Sequence, residues 1–373
     1  MPRFTVRPAS TDELRSLNFG NLLSRPGFQP DYCRVGVLDG QIISHALTER
    51  ATMRYGSSPL RVMGIGSVHT RPSYRRRGYA TAVLRDALAF MMEQGAHLAL
   101  LHDTARYFNR FGFSPVWPEY HITFNVDQGA RLQTPLDLYP PKKKHIPAIA
   151  ALYERHWAGR VAFTRSPELW VWRLTQEPMR RTFVVVDRTQ HISGYVSARD
   201  FTTDEVEVVT DTLEAAQTII SEISRLHLRV GKSFLRWLIP PDDAFVVFAR
   251  ELLDVAVSAH FQRKQGWQAR LIDTPGLIAT LLPEINAQAQ SVDPHFDPAS
   301  LVINSHPEGV ELALRGSPAS AVKLPQRDFI QVVFGSLQPR LLGIRDGLPD
   351  EAVTLLETLF PPRIAALSTW DYF

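Results

Sequence analysis

The chain has 373 residues, 45% of them apolar and 21% charged, with a net charge of +3, the balance of a folded globular protein of two or three domains. So small a positive excess gives no case for nucleic acid as a partner. A single cysteine, Cys33, excludes an internal disulfide and a Cys/His zinc site of the usual spacing, so no metal is expected. The opening residues Met-Pro-Arg-Phe-Thr-Val-Arg-Pro contain no apolar core, and no apolar run is long enough for a membrane span. Neither a secretory leader nor a membrane partner is therefore expected, and a cytoplasmic location is.

Phe4-Thr5-Val6 predicts a first strand, and Thr11-Asp12-Glu13-Leu14 the first turn of a helix. Residues 34–38 and 41–47 flank Asp39-Gly40, a pair favoured in two-residue hairpin turns. A strand over 62–68 then feeds a helix over 80–94 through a basic turn. Ala80, Val83, Leu84, Ala87, Leu88 and Met91 keep the helical period, and Gly95 marks the stop. Residues 98–101 read as a buried strand and 107–110 as a short helix, and a further strand region runs from Phe113 to near Val126.

The same order of elements recurs. A strand at 136–139, a helix at 146–157, a hairpin at 182–187 and 191–196, a strand at 206–211 and a helix at 213–226 repeat the first layout. Ile43-Ser44 has a counterpart in Ile192-Ser193, which suggests a weak internal duplication. The second strand–helix junction has neither glycine nor a basic cluster, so no pyrophosphate site is expected there. A third segment opens near Trp267 with Arg270-Leu271-Ile272-Asp273. It continues with helices at 275–282, 328–334 and 350–359 and a strand at 310–314, and its aromatic end, Trp370 to Phe373, predicts a buried tail. The expected domains are 1–127, 128–266 and 267–373.

The most informative stretch is Val68-His69-Thr70-Arg71-Pro72-Ser73-Tyr74-Arg75-Arg76-Arg77-Gly78-Tyr79-Ala80. A strand entering a helix through a glycine-containing basic turn leaves backbone N–H groups unpaired at the helix start, which suits a pyrophosphate. Gly78 lets the backbone approach a phosphate closely, and Ala80 keeps the helix start open. Elsewhere the structural readings dominate. Lys142-Lys143-Lys144 reads as a solvated loop, Trp157, Trp170 and Trp172 as core, and Cys33 as a buried thiol. His102-Asp103 reads as a turn cap or pocket wall, with a proton shuttle as the alternative.

The stretch from Val68 to Ala80 resembles the acetyl-CoA motif of the GCN5-related N-acetyltransferases. Tyr107-Phe108-Asn109-Arg110-Phe111-Gly112-Phe113 resembles that family's later segment. Two such units followed by a third domain resemble, more narrowly, the enhanced intracellular survival (Eis) family, whose last domain is similar to sterol carrier proteins. Arg165-Ser166-Pro167-Glu168-Leu169-Trp170, Arg270 to Asp273 and the closing Asp371-Tyr372-Phe373 fit that likeness. It implies an α+β fold with a mixed sheet, a degenerate second unit, a homo-oligomer such as a hexamer, and direct acetyl transfer from acetyl-CoA to a primary amine. The acceptor would be a small cationic amine, an aminoglycoside-like molecule or a lysine side chain, with Asp371 and Asp103 as candidates to attract it.

By the same resemblance, Val68 and Thr70 bind the pantetheine arm and polarise the thioester carbonyl, and residues 76 to 81 hold the pyrophosphate. The expected acetyl-CoA set is Val68, His69, Thr70, Arg75, Arg76, Arg77, Gly78, Tyr79, Ala80, Thr81, Asp103 and Thr104. The family's proton donor is a tyrosine, but Phe108 stands at that position. Tyr107 then takes the role after a local shift, or water protonates the thiolate. The terminal carboxylate of Phe373 is the implied base. Two alternatives remain beside the enzyme: a CoA-binding sensor or scaffold without turnover, and a lipid carrier.

Overall fold

A computed structural model describes residues 3–103, 106–177, 181–187, 189–203, 205–261 and 266–371. The chain forms two compact units, one from residues 1–118 and 262–364, the other from 119–261 and 365–372. The first segment runs β1 (Phe4–Pro8), α1 (Thr11–Ser16), β2 (Cys33–Leu38), β3 (Gln41–Tyr55), β4 (Ser58–Thr70), α2 (Tyr79–Glu93), β5 (Leu98–Asp103) and β6 (Ser114–Pro115). Next come β7 (Glu119–Asn125), α3 (Val126–Arg131), β8 (Asp137–Tyr139), α4 (Ile146–His156), β9 (Val161–Thr164) and α5 (Pro167–Thr175). The second unit continues through β10 (Arg181–Val186), β11 (Ile192–Ala198), β12 (Val206–Thr210), α6 (Leu213–Arg229), β13 (Phe234–Leu238), α7 (Ala244–Leu252) and β14 (Val255–His260). The chain then returns to the first unit with β15 (Gly266–Leu271), α8 (Thr274–Val292), β16 (Leu301–His306), β17 (Gly309–Leu314) and β18 (Ser317–Pro325). It closes with α9 (Gln326–Val333), α10 (Pro339–Asp346), α11 (Asp350–Leu359) and β19 (Ala365–Ala366).

In the first unit the main sheet has the order β1-β2-β3-β4-β5-β15-β6. The chain from β1 to β4 is an antiparallel meander, as the Asp39-Gly40 turn predicts. β4 and β5 are parallel, which is why a helix, α2, must connect them. α2 lays Val83, Leu84, Ala87, Leu88 and Met91 on the sheet, at the predicted periodicity. Val83, Leu84 and Ala87 are fully buried, and each such aliphatic side chain of valine or leucine size contributes about 1.5–3 kcal/mol. β15 pairs with β5 along its whole length, Leu271 opposite Leu98 and Gly266 opposite Asp103. The strand expected to open a third domain thus completes the first unit's sheet. A separate sheet, β16-β17-β18, lies within the same unit.

The second unit repeats the meander-then-helix order in β10, β11, β12 and α6. β7, expected at the end of the first domain, pairs with β13 and β14 of this unit. Trp157, Trp170 and Trp172 are core, as expected. The tail is held by buried charges. Arg165 donates to both carboxylate oxygens of Asp371 at 3.1 and 2.7 Å, and to both oxygens of Glu207 at 2.8 and 2.6 Å. Arg173 adds a bond to Asp371 at 3.0 Å, and the Tyr195 hydroxyl donates to Glu207 at 2.7 Å. Two arginines thus balance two carboxylates, the arrangement that makes buried charge tolerable. Burial pushes the Asp371 carboxyl up, but Arg165 and Arg173 outweigh it and hold it below the usual range.

Candidate active site

The turn between β4 and α2 is set by its own sequence. Pro72 opens a single 3-10 turn, Pro72–Tyr74, and the chain then takes two left-handed residues, Arg76 (φ 62°) and Gly78 (φ 87°). A left-handed arginine is uncommon and costs conformational energy. Gly78 is the residue preceding α2, and no side chain caps that helix. The N–H groups of Tyr74, Arg75 and Ala82 bond back to Arg71, Pro72 and Gly78. Among the described residues, no acceptor is found for the N–H groups of residues 76 to 81 in between. Nothing lies within 4 Å of the place a Cβ on Gly78 would take, so the space above the amides is open.

The second unit offers the contrast. At the matching start of α6, the Thr212 side chain accepts from the Ala215 N–H at 3.2 Å. That helix start is closed by its own sequence and carries no left-handed glycine.

Beside the turn, β4 and β5 pair only from Val62 opposite Leu98 to Gly64 opposite Leu100. Beyond Gly64 they diverge, and β5 keeps its other partner, β15. On the β5 side, the backbone of β4 from Ile65 to Thr70 has no strand partner among the described residues. An extended ligand with amide groups fits such an edge as an added strand does. A β-bulge in β4, where Gly66 and Ser67 stand against Leu47 of β3 alone, bends the sheet at the same level.

A cleft of about 540 Å³ opens there. It is lined by Val68, His69, Thr70, Arg75, Arg76, Gly78, Tyr79, Ala80, Thr81 and Tyr107 of the expected set, together with Tyr74, Phe108 and Arg110. Arg75 donates through Nε to the Thr70 carbonyl at 3.0 Å, tying the turn to the strand end. Arg77 is not part of the lining; its guanidinium lies 6.0 Å from the Tyr74 ring centre. Asp103 ends β5, its side chain falls outside the described residues, and so do Thr104 and Phe373.

The segment Arg106–Phe111 is a 3-10 helix. Phe108 is 5% exposed and packs with Phe111 and Phe113 in the core under α2. Tyr107 stays half-buried, with its hydroxyl 3.3 Å from Thr81 Oγ1. Arg110 donates to the same Thr81 oxygen at 3.0 Å and lies over the Tyr107 ring at 4.0 Å. The phenol next to Phe108 thus reaches the cleft. Arg110 repeats Tyr107 at a three-residue spacing, the signal that would have placed it in the site.

Other candidates resolve differently. His102 packs edge-on to Trp267 at 5.5 Å and does not line the cleft. Asp371 is engaged by Arg165 and Arg173 and is 5% exposed, so it does not attract a cationic acceptor. Burial pushes the Cys33 thiol up to about 12, so it is no nucleophile. Among the described residues, no cluster of His, Cys, Asp or Glu could hold a metal ion, and no helix is long and apolar enough to cross a membrane.

Residues 20–116 match the family pattern described as acetyltransferase (GNAT) domain. No curated protein matches the chain. Solved structures do, each over the whole of this chain. A GCN5-related N-acetyltransferase from Anabaena variabilis is 16% identical over 100% of its own length, with a TM-score of 0.64. A probable N-acyltransferase from Enterococcus faecalis is 14% identical over 100% of its length, with a TM-score of 0.68. Eis1 from Mycobacterium abscessus is 16% identical over 100% of its length, with a TM-score of 0.61. At such identities the likeness is one of fold. The matched residues 20–116 contain β4, the open amide turn and the start of the cleft, and they make the chain an enzyme of N-acetyltransferase type built on an acetyltransferase (GNAT) domain.

Proposed function

We propose that the chain transfers acetyl directly from acetyl-CoA to a primary amine, in the cleft between β4 and α2. The observation that carries this is the run of N–H groups from residue 76 to 81 that have no acceptor among the described residues, beside a cleft lined by Arg76 and by Gly78 to Thr81. The pyrophosphate sits on those amides, where the dipole of α2 adds to the attraction. The pantetheine arm follows the unpaired edge of β4, and the backbone at Val68 and Thr70 polarises the thioester carbonyl. The amine nitrogen attacks that carbon, a C–N bond forms, and the C–S bond breaks. The departing thiolate takes its proton from the Tyr107 hydroxyl. A thiol of pKa roughly 8.5 leaves readily, so this donor assists without being indispensable. The Phe373 carboxylate draws the proton from the amine. The acceptor class is a small cationic amine, an aminoglycoside-like molecule or a lysine side chain.

The test is thiol release from acetyl-CoA with a panel of primary amines, run on the native chain and on one extended by a few residues after Phe373. Release with any of them, lost on extension, is expected. Tight CoA binding with no acetylation of any amine would favour the sensor reading, for which the specific support is Phe108, buried and without a proton to give.

The division into two acetyltransferase-like parts, the first completed by β15, and a sterol-carrier-like part after β15 is likewise proposed. The self-capped start of α6 supports a second unit without a cofactor site. A homo-oligomer is supported by β14, an edge strand exposed nearly throughout and followed by Phe261 at 72% exposure, a feature that single chains avoid.

A further inference from the structure

We propose that His69 is the base that finally holds the proton released by the acceptor amine, with His45 as the residue that positions it. This rests on the acetyl-transfer reading above. His69 on β4 stands directly opposite His45 on β3. Residues so paired put their side chains on the same face of a sheet. Their rings are 5.5 Å apart. Ser67, two residues before His69 and on the same face, places its Oγ 3.1 Å from His45 Nε2. The opposite face of the same strands is closed, because Ala46 and Val68 pack there with Val83 and Ala87 of α2. A thioester carbonyl held along β4 is therefore open to attack from the histidine side.

The composition of the cleft narrows the choice of base. Its other ionisable lining groups among the described residues are Arg75, Arg76 and Arg110 and the phenols of Tyr74, Tyr79 and Tyr107. Neither a guanidinium nor a neutral phenol offers a free base for the amine proton. No carboxylate lines the cleft among the described residues. An α-carboxylate, with a pKa of about 3.5, is too weak a base to keep a proton at neutral pH. The Phe373 carboxylate can pass the proton on, and His69, exposed to solvent, can hold it and release it.

His45 cannot serve in its place. It is 7% exposed, enclosed by Val35 of β2 opposite it, Phe19 edge-on at 5.4 Å, and Ser67 and His69 of β4. Burial, with His69's charge adding to it, lowers its pKa to about 4. It stays neutral at working pH, so the proton stops at His69. In the balanced step, the amine N–H proton ends on the His69 imidazole, the nitrogen lone pair becomes the C–N bond, and the C–S pair leaves with the CoA sulfur.

The experiment compares wild type with His69→Gln, using acetyl-CoA and two nucleophiles, spermidine and hydroxylamine, the latter already neutral at pH 7. His69→Gln is expected to lower kcat for spermidine by about 10²-fold, the contribution of a general base, and for hydroxylamine far less. Its acetyl-CoA affinity should fall far less than kcat, since the cofactor follows the backbone of β4, which glutamine retains. The acid limb of the wild-type kcat profile should vanish in His69→Gln and shift in His45→Asn. A His69→Gln enzyme within about threefold of wild type at every pH overturns the proposal and leaves the acetyl-transfer reading standing. Wild type that binds acetyl-CoA yet acetylates neither nucleophile overturns the base and favours the sensor. Wild type that does not bind acetyl-CoA overturns both readings.

Discussion

Gly78→Ala separates the conformational role of the turn from its role as a ligand cradle. At φ 87° an alanine is strained, and no neighbour lies within 4 Å of its methyl to add a clash. The stability cost is then the left-handed term alone, about 1–2 kcal/mol. Gly40 in the β2–β3 turn is the matched control: its φ is 84° and nothing lies within 4 Å of its Cβ position. Gly40→Ala should lose the same stability by calorimetry. For CoA the two must differ. The methyl at residue 78 stands among the free amides, so Gly78→Ala should weaken CoA at least tenfold, about 1.4 kcal/mol or more, by isothermal titration. Gly40→Ala should leave CoA affinity unchanged. Equal CoA affinity in both variants, with equal loss of stability, would refute the turn as the pyrophosphate site.

Tyr107→Phe should lower kcat by about tenfold or more with unchanged CoA affinity, since a phenol donor assists a leaving group that is already fair; an unchanged kcat removes Tyr107 as the acid. Asp371→Asn leaves Arg165 and Arg173 facing Glu207 alone, and should cost about 3–5 kcal/mol of second-unit stability in chemical denaturation; a loss under about 1 kcal/mol contradicts the clamp. His45 has a folded pKa of about 4 against an ordinary 6.5, so its neutral form is favoured by folding. That stability is complete above pH 6.5 and is lost as pH falls toward 4, by about 3 kcal/mol in all; His45→Phe should flatten that part of the acid slope in urea titrations. Cys33, with its thiol pushed up and buried, should resist thiol reagents in the native chain and react on unfolding.

The β4–turn–α2 unit was legible because its signals are local: an apolar strand, a glycine with its basic neighbours, and a helical period. Strand partners were not legible. Nothing within residues 266–271 says that they pair with β5, since that choice is made across the fold. β3 runs on to Tyr55 although the expected strand stopped at Leu47, because Glu49, Arg50 and Arg54 interrupt the apolar alternation. α8 runs through Pro283 to Val292, where the expectation ended at Leu282. Its buried Leu281, Ile285 and Ala289 keep the helical stripe past the proline, so packing prevails over a local break. In the site, the amide turn was readable, but the His45–His69 pair was not, since it exists only through the register of two strands. Arg77 shows the reverse failure: its neighbours Arg76 and Gly78 line the cleft, and Arg77 does not.

The insertion of β15 beside β5 also sets a timetable for synthesis. Asp103 leaves the ribosome long before its partner Gly266. At about 5–20 residues per second, the interval is roughly 8–33 s. For that time β5 has one edge without its final partner, while the intervening second unit is being made. Leu98, Leu100 and Leu101, all buried in the finished sheet, are then the segment that a holding chaperone would find. Ribosome-bound chains stopped before residue 266 should bind such chaperones, and chains released after β15 has emerged should not.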